Sequence, residues 1–212
     1  MVSMSKLITT SGSEFINLPS QARSQAAWRK ILDAGRKILE EGGSESLTIA
    51  AVCKRAKVSP TAIYARVSGL GDLFWAIYED SMQEIIDTYN FELGKAEKHA
   101  PGSESRVRAA VTAVAITFET HAKYLRSVIK VSLSDESLQS RGSASLIDFA
   151  NLVAKLVSPE DSVAGKDVAR MVEQESILRT MYGGAWMSEK PETFTKFIDR
   201  LTRMALARLS IR

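Results

Sequence analysis

Apolar residues recur three and four positions apart along most of the chain, and no stretch shows sustained apolar–polar alternation. That period predicts an all-α protein. The first stripe, Ala27, Ile31, Ala34 and Ile38, predicts a helix from a Ser24 cap to Glu41. Gly42 and Gly43 would close it, since glycine takes the left-handed conformation that ends helices. After the stretch Leu47–Leu73, apolar spacing predicts a helix from Asp72 to about Lys98, broken by Pro101-Gly102. A long helix from Glu104 to Leu133 and a polar loop over 134–143 are expected next. Three more helices follow, over Ser145–Val157, Gly165–Met187 and Pro191–Ile211. The first 22 residues show no period and are expected as a flexible tail.

Leu47–Leu73 is read as two short helices joined by a tight turn. Thr48 caps the first, because its hydroxyl accepts from an otherwise unpaired first-turn amide. Leu47 and Val52 stand at the spacing of a hydrophobic staple, and Val58 and Ile63 repeat it. Ser59 is the expected second cap, and Pro60 sits at the first helical position, where a missing amide hydrogen costs nothing. A helix of about seven residues needs neighbours to persist. Ile63 and Val67 would face them, leaving Thr61, Tyr64, Ala65 and Arg66 outward. This is the layout of a helix-turn-helix reader, whose second helix brings its N-terminal residues to base edges in the major groove.

The candidate DNA-binding residues are therefore Thr48, Lys57, Ser59, Pro60, Thr61, Ala62, Tyr64 and Arg66. Pro60, Thr61 and Ala62 are small enough for close approach and for contact with a thymine methyl. Arg66 is expected as the bidentate guanine reader, and the hydroxyls of Thr48, Ser59, Thr61 and Tyr64 suit phosphates.

The segment resembles the tetracycline-repressor (TetR) family of transcriptional regulators. The resemblance rests on Ile31-Leu32-Asp33-Ala34 and Ile38-Leu39-Glu40-Glu41-Gly42, then on Thr48, Val58-Ser59, Thr61, Ile63-Tyr64, Asp72 and Leu73. Three departures from the family pattern stand out. Lys57 stands in place of the turn glycine, Val67 in place of an aromatic residue, and Leu70-Gly71 in place of a Lys-Glu pair whose lysine touches phosphate. The resemblance implies a three-helix DNA-binding domain over 23–70. It also implies a helical effector-binding and dimerisation domain over 71–212, and a homodimer that binds a palindromic operator and responds to a small molecule. On that implication alone, Tyr89, Phe118, His121, Phe149, Met181 and Trp186 become candidate contacts for an apolar or aromatic effector. Residue by residue, a place in the core is the simpler reading.

Charge changes the picture modestly. Residues 21–75 hold nine Lys/Arg against five Asp/Glu, whereas residues 76–212 hold eighteen against nineteen. The positive excess thus falls on the segment expected to meet phosphates. A single cysteine, Cys53, excludes an intrachain disulfide and suits a cytoplasmic protein. No apolar run approaches a membrane span, and no export signal stands at the N-terminus. There is no His/Cys cluster, phosphate loop or nucleophile elbow, so neither metal, cofactor nor enzymatic activity is expected. The expected partners are double-stranded DNA, a second copy held through the two C-terminal helices, and the effector. The competing reading is a helical protein–protein module without DNA binding.

Overall fold

The structure, a computed structural model, describes residues 22–187 and 189–210. The expected flexible tail lies, but for Ala22, outside the described residues. Every regular element among the described residues is helical. Two compact units divide between Glu84 and Ile85.

The first unit contains α1 (Ala22–Gly42), a 3-10 turn at Ser44–Ser46, α2 (Ile49–Ala56), α3 (Pro60–Tyr64) and the first half of α4 (Leu70–Ala96). Helix α1 buries Trp28, Ile31, Leu32, Ala34, Ile38 and Leu39, a stripe wide enough to floor the short helices. At Gly35 a Cβ would run into the Ile77 side chain, so glycine lets α1 and α4 approach closely within this unit. Charge secures the same contact. Arg29 spans Asp33 at 3.1 Å, Asp80 at 2.6 Å and Glu84 at 2.7 Å, and Arg36 pairs with Glu40 and Glu84. Burial raises the Asp80 carboxyl above its ordinary value, while Arg29 opposes the shift. Gly43, at φ 72°, turns the chain after α1 as expected.

The second unit contains the rest of α4 with α5 (Glu104–Thr120), α6 (Ala122–Ser132), α7 (Glu136–Val157), α8 (Ser162–Tyr182) and α9 (Phe194–Ser210). Its core runs through α4, α5, α7, α8 and α9. The alanines of α5, at 110, 113 and 115, are buried and keep that helix slim between its neighbours. The most extensive pairing joins α7 to α8. A Cβ at Gly165 would stand 2.9 Å from both the Cα and the carbonyl oxygen of Ala154, so this crossing is set by the missing side chain.

Five expectations need correction, the first being the Ser24 cap, since Ser24 lies inside α1. The single helix over Glu104–Leu133 is two, parted at His121, whose backbone leaves helical geometry at φ −102° and ψ 15°. Apolar spacing continues through the break, which hides it from the sequence. The loop expected over 134–143 is mostly helix α7. Asp135 caps it by accepting from the Leu138 amide at 2.9 Å, and Leu138 is buried. The break after α8 comes at Gly183 rather than Met187, and α9 begins at Phe194, with Thr193 Oγ1 accepting from Lys196 N. Asp72 does not open α4 but lies in its first turn, its carboxylate accepting from the Ser68 amide at 2.9 Å.

Candidate nucleic-acid interface

The short helices form for the reasons their sequence suggests. Thr48 has extended geometry and its hydroxyl oxygen accepts from Ala51 N at 3.1 Å, leaving the hydroxyl proton to donate outward. Val52, Cys53 and Ala56 are buried along α2. Helix α3 is only five residues long, with Pro60 in its first turn. It is anchored by Ile63 at 0% exposure and by the following Val67 at 3%. Ser59 differs from expectation, because its side chain makes no capping bond and only its carbonyl accepts, from Ala62 N.

Lys57 holds the turn in left-handed geometry, φ 56° and ψ 47°. Its amide donates to Cys53 O, as does that of Val58 at 3.1 Å. The sequence places lysine where an L-residue is strained by about 1–2 kcal/mol. Its side chain is exposed.

Ser59, Pro60, Thr61 and Tyr64 present an exposed edge, with Tyr64 56% accessible and Ala62 half-buried beside them. Arg66 is less outward than the spacing predicts. It is half-buried, and its guanidinium donates to the Ser24 hydroxyl of α1. Helix α3 stops at Tyr64 and the backbone tightens, with Arg66 N donating to Ile63 O at 2.8 Å, which turns the side chain toward α1. Leu70 is 41% exposed at the start of α4.

Beside the turn lies a shallow groove of about 550 Å³ lined in part by Lys30, Lys37, Arg55 and Lys57, with Asp33 as its acid. Lys37 is a cation that sequence reasoning did not weigh, because its place beside the turn depends on how α1 meets α2. Arg29 is engaged by its three acids, and Arg55 is paired to Glu41 at 2.5 Å.

Residues 31–74, the span from the α1 stripe to the first turn of α4, match the family model for bacterial regulatory proteins of the tetR family. This segment is similar to the helix-turn-helix DNA-binding head of that family of transcriptional regulators. The fold beyond the head agrees. The chain is similar to FadR, a fatty acid degradation regulator from Bacillus halodurans, at TM-score 0.63 and 16% identity over 88% of this chain and 97% of that one. It is similar to a Mesorhizobium loti protein assigned to the TetR-family regulators, at TM-score 0.70 and 12% identity over 90% and 98%. It also resembles FadR from Bacillus subtilis, solved in complex with stearoyl-CoA, at TM-score 0.63 and 12% identity over 85% and 98%. No curated protein matches the sequence at a significant level.

The residues weighed as effector contacts differ in burial. Tyr89 and Phe149 stack with centroids 4.2 Å apart, and the Tyr89 hydroxyl donates to Phe149 O at 3.1 Å. Phe118 belongs to the same buried cluster. His121 is buried at the break between α5 and α6, its Nε2 2.9 Å from Thr88 Oγ1. Met181 is half-buried near the end of α8, whereas Trp186 is 47% exposed and stacked on Tyr182. Glu173, a buried acid on α8, escaped sequence reasoning altogether. One carboxylate on a helix carries no signal of burial.

Proposed function

We propose that the protein is a homodimeric, ligand-responsive repressor that binds a palindromic operator and leaves it when a small apolar or aromatic effector binds. The observation that carries the reading is the exposed Ser59–Pro60–Thr61–Tyr64 edge, held in place by the fully buried Ile63. Pro60, Thr61 and Ala62 are assigned to base edges, with Thr48, Lys57, Ser59 and Tyr64 on phosphates. Arg66 reaches a guanine on release from Ser24.

The apolar residues left uncovered on and beside the C-terminal helices, Leu178, Tyr182, Trp186, Met187 and Met204, support the second copy as partner. Two heads would then meet successive major grooves about one helical turn apart. Helix α4 is continuous from Leu70 to Ala96, and the division between units falls inside it. It is the element through which an effector's preference for one arrangement biases the other, by no more than its differential affinity. No helix among the described residues is long and apolar enough to cross a membrane. The site of action is the cytoplasm, with the DNA.

Selection of bound duplexes from a random pool tests the reading. A recovered palindrome with half-sites about one turn apart is the expected result. A pool that stays unenriched at low salt would leave the helical protein–protein module as the better account.

A further inference from the structure

Glu173 sits on α8 with 4% exposure, and its Oε1 has no hydrogen-bond partner among the described residues. Burial raises its carboxyl to about 8, with Arg170 pulling the other way. The same burial, and next the Glu173 charge, push the Tyr89 hydroxyl well above its ordinary range. A buried acid with an unmet oxygen is costly to the fold. Here that oxygen belongs to a side chain lining a pocket of about 260 Å³ between α7 and α8. Leu146, Ile147, Ala150 and Ile177 give the pocket its apolar surface, and the exposed Lys166 and Arg170 also line it.

We propose that this pocket takes a small amphipathic amine, its ammonium on Glu173 and its apolar body on Leu146, Ala150 and Ile177. This deepens the effector part of the proposed function, and rests on that reading only for the step from binding to operator release. The class follows from what each alternative leaves undone. An anion would meet Lys166 and Arg170, both already solvated, and leave the buried acid without a partner. A neutral donor would satisfy Oε1, but a charge-assisted bond is roughly twice as strong. The two outer cations oppose the ammonium only weakly, since their long stems carry the charge into water where salt screens it.

Protons balance simply. Below about pH 8 Glu173 keeps its proton. An amine arriving as ammonium displaces that proton to solvent, and an ammonium–carboxylate pair remains. Affinity should therefore rise about tenfold per pH unit below the carboxyl's pKa and level off above it.

Calorimetry of the full chain with phenethylamine at pH 6, 7 and 8, in buffers of different ionisation heat, reads both affinity and proton release. Phenethyl alcohol and 3-phenylpropanoate serve as the neutral and anionic probes. The expected result is preference for the amine, with close to one proton released per amine at pH 6. Glu173→Gln, shown folded by its melting curve, should lose the pH dependence and bind at least tenfold more weakly at pH 8. Preference for the carboxylate, a flat pH profile in the unmutated protein, or no amine binding at millimolar concentration would each overturn the proposal. Amine binding by a protein that ignores every duplex would sink the repressor reading alone. Enrichment of a palindrome without amine binding would sink this one alone.

Discussion

Lys57 occupies a left-handed position that glycine would fill without strain, and it does so beside the exposed edge of α3. Lys57→Gly relieves about 1–2 kcal/mol of backbone strain and loses about 0.4–1 kcal/mol to the greater freedom of the unfolded chain. The net gain of about 1 kcal/mol should raise the melting temperature by roughly 2–4 °C for a chain of this size. On DNA the same change should weaken binding and lower the salt slope by about one unit, because one phosphate contact goes. A lysine retained only for want of a better turn residue would give the stability gain with an unchanged slope. Glu173 gives a second test at this scale. Its folded carboxyl is raised to about 8 from an ordinary 4.5, so the folded state keeps a proton that the unfolded chain has lost between those values. Its contribution is fully retained below about pH 4.5 and lost as pH rises toward 8. Glu173→Gln should melt close to the unmutated protein near pH 4.5 and above it at pH 8, by an amount on the order of a few kcal/mol. Parallel melting curves across that range would show that the acid is not held neutral.

Among the elements, the crossing of α7 and α8 depends on Gly165, whose absent Cβ leaves the Ala154 backbone in near contact. Gly165→Val should force the helices apart and cost about 1–3 kcal/mol, measured by denaturant unfolding. The short helices were legible from the chain because the Thr48 cap and the proline at the start of α3 are local signals, while burial of Ile63 and Val67 holds α3 in place. The rest of the body was legible only where local and tertiary signals agree. Through His121 the apolar period of Phe118, Leu125 and Val128 never falters, so a break made by a buried ring beside Thr88 leaves no trace in the pattern. Before Ser145 the sequence is polar, yet α7 begins at Glu136 because the Asp135 cap and the burial of Leu138 hold its first turns. Arg66 fell between the two cases. Its spacing points outward, and a serine forty-two residues earlier decides otherwise.

For the molecule as a whole, the account joins a reading head to a helical body through one helix, α4, and assigns recognition to the first unit and response to the second. The head could be read from sequence in detail because its short helices are built from contiguous residues. The body could not, since a pocket such as that beside Glu173 is assembled from residues on α7 and α8 that lie fifteen or more positions apart. The most direct test is the affinity of the purified protein for a selected duplex, measured by fluorescence anisotropy across salt concentrations with Thr61→Ala and Tyr64→Ala alongside. Both side chains are exposed, so both variants should fold and melt as the unmutated protein does. The account predicts that each binds at least tenfold more weakly, by about 1.4 kcal/mol or more. Unchanged affinity in both variants would contradict it, as would failure of the unmutated protein to bind any duplex at low salt.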